Sequence, residues 1–235
     1  MPKIRQTLLN ALLSSAILAG SVQANAAEKV VATDLEPLHH VILENKYVTV
    51  MRVLIQPGHS TLYHEQHLDY VNTHIEGSPV KIAYPDKPAN NTAMKTGNVK
   101  FGEHQGKSDT DKVTNTGNNV NHQVAFEINI PGPQHFGGAT RPSNEAFQQV
   151  LDKKTVKGWK VTLKPGESTG EYTQHGPGVR VFFTEGRVLI ADSTHANRVK
   201  ELWVHPGDAF LTEPGKVDLT AASGENIVFN DYELL

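Results

Sequence analysis

An internal repeat constrains the fold of this chain more than any other feature of its sequence. The segment LIQPGHSTLYHEQH at 54–67 aligns with TLKPGESTGEYTQH at 162–175, at an offset of 108 residues (165 minus 57). The identical pairs are Pro57 and Pro165, Gly58 and Gly166, Ser60 and Ser168, Thr61 and Thr169, Gln66 and Gln174, and His67 and His175. Later segments align in the same order, at offsets between 106 and 110. Because self-similarity at a fixed period indicates repeated architecture, the sequence predicts two successive, similar units.

Both units contain short apolar runs separated by Gly, Pro, Asn and Asp, a pattern typical of an all-β sandwich or barrel. The clearest runs are YVTVMRVLI (47–55), HQVAFEINI (122–130), WKVTLK (159–164), VRVFF (179–183), RVLIAD (187–192) and NIVFNDYEL (226–234). One segment, SNEAFQQVLDKK at 143–154, has helical spacing instead, with Phe147, Val150 and Leu151 on one face. We therefore predict an all-β fold with one short connecting helix.

The first 26 residues have the layout of a secretory signal peptide. Lys3 and Arg5 precede an apolar run, and residues 24–26 form a small-residue cleavage site. The alternative, a membrane anchor, is disfavoured because the run is shorter than the roughly 20 apolar residues of a bilayer span and contains polar residues. We expect a periplasmic or secreted protein, without stable membrane insertion, after cleavage near Ala26.

Composition excludes several classes of function. Loss of residues 1–26 removes two of the 22 basic residues, so 20 Lys and Arg remain beside 25 Asp and Glu, and the net charge changes from −3 to −5. A negative balance argues against nucleic acid as a partner. The chain has no cysteine, so disulfides, thiol nucleophiles and zinc–thiolate sites are excluded.

The motif frame of the first unit resembles that of the cupin superfamily. Gly58, His64 and Gly77 stand at the spacing of the family's first motif, G(X)5HXH(X)3–4E(X)6G, and Gly97 with 111–115 is similar to part of the second. With the repeat, the resemblance is to the two-domain arrangement called a bicupin, and it covers 36–130 and 157–235. It implies two tandem jelly-roll barrels. The expected domains are an N-terminal barrel at 27–135, a linker with the short helix at 136–156, and a degenerate C-terminal barrel at 157–235.

The family's metal-ligand positions carry over one at a time. By the resemblance, His64 occupies the first histidine position, Gln66 the second, Tyr70 the glutamate position and Asp111 the last histidine, so one of the four is the expected residue. Side chains alternate along a strand. The inward face then consists of His64, Gln66, Tyr70, Asn72 and His74. We interpret this polar face as a binding site for a small polar molecule.

A different strand register predicts a metal site. A bulge after His64 would turn the later side chains to the other face, so that His67 and Asp69 join His64 and Asp111. Such nitrogen and oxygen donors suit Fe, Mn, Ni or Zn. In the second unit Tyr172 stands at the position of His64, and we expect no metal there.

The sequence leaves three functions open. The first is an exported protein that binds a small polar ligand in the N-terminal barrel. The second, implied by the resemblance, is a divalent-metal-dependent cupin enzyme of the oxygenase, isomerase or lyase type, with His64 as a ligand and Tyr70 or His74 as catalytic acid or base. The third is a structural or assembly protein whose apolar strand faces form a homodimer. The polar segment at 84–111 is long for a loop, and we expect a lid or a disordered segment there.

Overall fold

The computed structural model describes residues 28–194 and 198–235. The predicted signal peptide at 1–26 lies outside these ranges. Within them the chain forms 19 strands, β1 to β19, and one 3-10 helix at Thr33–Leu35, so the prediction of an all-β fold is confirmed. No helix in these ranges is long and apolar enough to cross a bilayer.

The first unit is built from ten strands in two five-stranded sheets, with orders β2-β3-β10-β5-β8 and β1-β4-β9-β6-β7. The strands are β1 (Val30–Ala32), β2 (His39–Glu44), β3 (Val48–Ile55), β4 (Tyr63–Gln66), β5 (Tyr70–Glu76), β6 (Pro79–Ala83), β7 (Asn90–Ala93), β8 (Val99–Gly102), β9 (Asp109–Asn115) and β10 (Asn121–Ile128). Ile55 of one sheet packs with Val80 and Val113 of the other. The two sheets therefore enclose the interior of a jelly-roll barrel.

The second unit repeats this arrangement with sheets of order β11-β12-β19-β14-β17 and β13-β18-β15-β16. Its strands are β11 (Phe147–Asp152), β12 (Val156–Leu163), β13 (Tyr172–Gln174), β14 (Gly178–Phe182), β15 (Gly186–Asp192), β16 (Arg198–Val204), β17 (Ala209–Thr212), β18 (Gly215–Ala221) and β19 (Ile227–Leu234). Its interior is apolar, and Leu163, Val188 and Phe229 are fully buried there. The sequence repeat is thus a repeat of topology.

The repeated Pro-Gly pair forms the same turn in both units. Gly58 and Gly166 have φ angles of 77° and 78°, a conformation that glycine adopts without steric cost. The amide of the residue after Gly58 donates to Gln56 O at 3.0 Å, and the residue after Gly166 donates to Lys164 O at 2.9 Å. Proline followed by glycine with positive φ is the composition of a type II turn. These turns begin the segments that carry the candidate site residues.

The two barrels pack against each other through one sheet face of each. Val71 and Phe126 of the first barrel share a buried cluster with Val179 and Tyr232 of the second. At this interface Thr73 Oγ1 lies 2.7 Å from the Tyr232 hydroxyl. The apolar face of β5 therefore packs on the second barrel.

The helix predicted at 143–154 is wrong. Residues Phe147–Asp152 form strand β11, which pairs with β12. The register shifts between Gln149 and Leu151, and such a bulge places two adjacent residues against one. The bulge accounts for the adjacent apolar pair Val150 and Leu151, which imitated helical spacing. The sheet of the second barrel therefore begins within the expected linker.

The segment at 84–111 is not one long loop. It contains β7, which pairs with β6, and β8, which pairs with β5. Both are edge strands, and their polar sequences lack the apolar alternation that indicates a half-buried strand. Strand β8 forms one wall of the candidate site.

Candidate functional site

His64 lies inside the first barrel on the short strand β4, and only 4% of its surface is exposed. Its Nδ1 lies 3.2 Å from the carbonyl oxygen of Leu62, which can only accept a hydrogen bond, so this nitrogen carries the proton. The ring meets the edge of the buried His39 ring, with 4.8 Å between centroids. These contacts fix the imidazole and leave Nε2 directed at Asp111.

Asp111 is brought to His64 by strand pairing. The two residues are direct partners in the antiparallel pair β4–β9, and His64 Nε2 lies 3.3 Å from Asp111 Oδ1. Burial raises the pKa of Asp111 above its usual range, although the positive charge available to His64 opposes this. The site therefore holds a carboxyl group that retains its proton at a higher pH than an exposed aspartate.

A chain of hydrogen-bonded amides forms the base of the site. Asn72 Nδ2 donates to the Tyr70 hydroxyl at 3.4 Å and also to Gln123 Oε1. Gln123 Nε2 in turn donates to Asn121 Oδ1. Burial raises the pKa of Tyr70 above its usual range, so the hydroxyl remains a neutral phenol. The base thus offers neutral donors and acceptors rather than charges.

These residues surround a cavity of about 180 Å³ in the mouth of the first barrel. Its lining consists of His64, Gln66, Tyr70, Asn72, Ile82, Met94, Lys100, Phe101, Gly102, His104, Asp109, Asp111, Val113 and Gln123. The volume is below the roughly 300 Å³ at which pockets for drug-sized molecules begin. The cavity therefore suits a molecule with few heavy atoms.

Sequence reasoning missed Lys100 and His104 in this lining. Lys100 pairs with Asn72 on β5, and Gly102 pairs with Tyr70, which turns this face of β8 toward the cavity. A Cβ atom on Gly102 would lie 2.1 Å from His104 Nε2, so the glycine leaves the space that the imidazole occupies. The sequence would have indicated these two residues only if β8 had been assigned as a strand.

The structure does not bring His67 and Asp69 to His64 and Asp111. Strand β4 ends at Gln66 and β5 begins at Tyr70, so a strand break stands in place of the bulge on which the metal set depended. The side chain of His67 is 55% exposed, and its Nδ1 lies 3.7 Å from Glu65 Oε1. The four-residue set is not assembled.

Asp69 instead has a structural environment. It is buried, and its Oδ1 accepts hydrogen bonds from the backbone amides of His104 and Gln105 at 3.1 and 3.3 Å. Its Oδ2 accepts a hydrogen bond from Thr155 Oγ1 of the second barrel at 3.3 Å. Asp69 thereby holds the turn that carries His104 over the cavity.

His74, a catalytic candidate with Tyr70, is fully buried and does not line the cavity. It pairs with Gln123 across β5 and β10, but neither ring nitrogen makes a hydrogen bond with the described part of the chain. Burial, with a smaller contribution from the charge of Lys100, lowers the pKa of His74 to about 4. His74 is a neutral core residue, whereas Tyr70 remains at the cavity wall.

The residues present fit a transition metal poorly. His64, Gln66, Tyr70 and Asp111 all line one cavity, so the positions that the resemblance names as ligands do converge. An amide and a neutral phenol replace two of the ionisable donors that such ions prefer. In the ranges 28–194 and 198–235 no three His, Cys, Asp or Glu side chains are arranged to hold a metal ion.

In the second barrel an ion cluster surrounds Tyr172, the residue at the position of His64. The Tyr172 hydroxyl donates to Asp231 Oδ2 at 3.0 Å, and Arg180 donates to Asp231 Oδ1 from Nε and Nη2 at 3.1 and 2.9 Å. Arg141, from the segment between the barrels, donates to Asp231 Oδ2 at 2.8 Å and to Glu233 Oε2 at 2.6 Å. Two guanidinium groups and two carboxylates thus neutralise one another inside the barrel.

The chain consists of two similar jelly-roll barrels, and the positions of His64 and Tyr172 lie inside them. This arrangement is the fold of the two-domain cupins. Oxalate decarboxylases are among the solved structures that share this fold with the chain. No family model matches the sequence, and no curated protein matches it.

Three solved structures illustrate the similarity. AerE from Microcystis aeruginosa has a TM-score of 0.59 at 8% identity, covering 85% of this chain and 98% of its own. The formate complex of Lactobacillus farciminis oxalate decarboxylase has a TM-score of 0.59 at 10% identity, with coverages of 80% and 77%. Bacillus subtilis oxalate decarboxylase, described for its Mn(II) centers, has a TM-score of 0.57 at 10% identity, with coverages of 80% and 69%. At these identities the similarity concerns the fold alone.

Proposed function

We propose that the chain is an exported bicupin-like protein that binds a small polar molecule in the N-terminal barrel without catalytic machinery of its own. One observation carries this proposal. The cavity there is lined by groups that offer hydrogen bonds, and the buried Asn72 Oδ1 has no hydrogen-bond partner in the described chain, while Asp111 Oδ1 makes no well-formed hydrogen bond although His64 Nε2 lies 3.3 Å from it. Buried polar atoms without partners are costly, and a bound polar ligand would satisfy them.

The nature of the lining favours a ligand with both donors and acceptors, such as a small sugar, an organic acid or a phenolic compound. Lys100 and His104 supply donors, Asp109 supplies an acceptor, and Gln66 supplies both. The phenol ring of Tyr70 gives the ligand an aromatic surface. Export rests on the predicted signal peptide at 1–26.

A thermal-shift screen of these three compound classes tests the proposal. A ligand at 100 times its Kd stabilises the folded state by about 2.7 kcal/mol, which corresponds to a rise in Tm of about 5 to 10 °C for a protein of this size. Gln66→Leu removes an amide from the lining and should abolish the shift. Glu65→Gln is the matched control, because Glu65 lies beside it on β4 but does not line the cavity. A panel that leaves Tm unchanged contradicts the proposal.

Elemental analysis distinguishes the proposed function from the alternative of a divalent-metal-dependent enzyme. It is carried out on untagged protein after reconstitution with Fe, Mn, Ni and Zn in turn. About one equivalent of bound metal in the wild type, lost in His64→Ala, would contradict the proposal and favour the metal-dependent enzyme. We expect less than about a tenth of an equivalent, because two of the four converging donors are neutral.

A further inference from the structure

The second barrel contains a cavity of its own, of about 260 Å³, beside the ion cluster. Its lining is Gln174, Arg180, Ile190, Asp192, Lys200, Leu202, Phe210, Leu211, Thr212, Glu213, Gly215, Lys216 and Val217. Strand pairing explains why these side chains meet. Arg180 on β14 is the partner of Phe210 on β17, and Lys200 on β16 is the partner of Ile190 on β15. The walls are therefore largely apolar, and a guanidinium group lies among them.

Arg180 is held rigidly, with one nitrogen left for a ligand. The residue is only 4% exposed. Its Nε and Nη2 donate to Asp231, and Nη2 also donates to the Tyr172 hydroxyl at 3.1 Å. Nη1 has no hydrogen bond to any described residue, yet it is not among the buried partnerless atoms and so retains solvent access. Since a guanidinium carries five N–H groups, Nη1 presents two donors to the cavity.

The charges around Arg180 leave its Nη1 able to bind an anion. Asp231 and Glu233, which would repel one, are both paired with Arg141. Of the other ionisable lining residues, Lys200 and Lys216 balance Asp192 and Glu213 in formal charge. Lys216 also pairs with Glu171 at 3.4 Å outside the cavity. Carboxylates and phosphates are the anions that a guanidinium binds best, and the apolar side chains of Leu202, Phe210 and Val217 favour a carboxylate with an apolar body.

We propose that the second barrel is a separate binding site for a small monocarboxylate. The carboxylate accepts hydrogen bonds from Arg180 Nη1, and the apolar body of the ligand lies against Leu202, Phe210 and Val217. The first barrel has Asn72 at the position of Arg180, 108 residues earlier (180 minus 108). The two cavities therefore have different chemistry despite their common fold.

Calorimetric titration of the full chain with benzoate, and with benzamide as its uncharged analogue, tests this site. We expect benzoate to bind at least tenfold more tightly, a difference of about 1.4 kcal/mol. Leu202→Trp should weaken benzoate binding at least tenfold by filling the cavity, and Lys200→Glu should weaken it by placing an anion at the wall. Glu65→Gln, in the first barrel and outside the lining of both cavities, should leave benzoate binding unchanged.

Three results would overturn the proposal. These are equal binding of benzoate and benzamide, absence of benzoate binding up to about 10 mM, and binding that Gln66→Leu abolishes while Lys200→Glu does not affect it. Lys200 is exposed on an edge strand, so Lys200→Glu leaves the core intact and keeps the test valid if Leu202→Trp fails to fold.

Discussion

Arg141→Ala should destabilise the protein severely, because Arg141 compensates buried negative charge. Its side chain is 1% exposed and contacts the carboxylates of Asp231 and Glu233, which are fully buried. The guanidinium also lies over the rings of Trp159 and Tyr172, at 4.3 and 4.6 Å from their centroids. The variant would leave two buried carboxylates beside a single remaining guanidinium.

The expected magnitude follows from the cost of an uncompensated buried charge. Removing one partner of a buried ion pair costs about 3 to 5 kcal/mol, and in a protein of this size each kcal/mol lowers Tm by about 2 to 4 °C. We therefore expect Arg141→Ala to lower Tm by about 6 to 20 °C. Urea denaturation should show the same loss as a lower midpoint.

Acid should narrow the stability difference between the wild type and Arg141→Ala. Burial alone would raise the pKa of Asp231, but Arg180 and Arg141 outweigh it and hold the pKa below its usual range. A carboxyl group with a lowered pKa stabilises the folded state above its unfolded pKa and loses this contribution as pH falls through the folded value. Without Arg141 the pKa of Asp231 rises, so the variant has less of this contribution to lose, and its stability should fall less steeply than that of the wild type as pH falls.

Two further variants control for charge and for packing. Arg141→Lys keeps the charge but loses the two-pronged contact, and it should cost less than Arg141→Ala. Arg187→Ala breaks a half-exposed pair with Glu201 at 3.4 Å in the same barrel and should cost no more than about 1 kcal/mol. Equal losses for Arg141→Ala and Arg187→Ala would refute the reasoning.

Three other perturbations test separate parts of the structure. The folded state holds the pKa of His74 at about 4, so the wild type should lose stability as pH falls from 6.5 toward 4. The free energy of unfolding of His74→Leu, measured by urea denaturation, should rise relative to that of the wild type by about 1.4 kcal/mol per pH unit over this range. A difference between the two proteins that does not depend on pH would contradict this. The double variant Gln66→His and Tyr70→Glu should bind about one equivalent of a divalent metal by elemental analysis. Absence of bound metal would show that the four positions in the cavity do not converge. Tyr232→Phe removes the buried hydrogen bond to Thr73 between the barrels and the one that the hydroxyl accepts from Asn230 Nδ2, and it should cost about 1 to 2 kcal/mol; an unchanged Tm would show that these bonds contribute nothing.

The repeat predicted the topology because both halves retain the same turn and the same strand order. The pairing of His64 with Asp111 was also predictable, since the motif frame aligns these positions on neighbouring strands. The strand register was left open between two alternatives, and alternation alone could not decide it. The structure resolves it by a break at 67–69, where the chain leaves one sheet and enters the other.

Other parts of the site were not predictable from local patterns. Lys100 and His104 lie on and beside an edge strand whose sequence is polar, so no apolar alternation marked it. Arg141 lies in a Pro- and Gly-rich segment and meets Asp231 90 residues later in the chain, a separation that no local spacing rule covers. The charge cluster inside the second barrel therefore became visible only in three dimensions.

Asp69 links the cavity of the first barrel to the position of the second. One oxygen of its carboxylate accepts a hydrogen bond from the His104 amide and so holds the turn that carries His104 at the cavity. The other oxygen accepts a hydrogen bond from the Thr155 hydroxyl, at the start of the second barrel. A change in the spacing of the barrels would therefore shift His104 relative to Asp111, and a ligand that draws His104 inward would pull on the second barrel through the same carboxylate. The side chain of Asp69 thus joins the rim of the first cavity to the start of the second barrel.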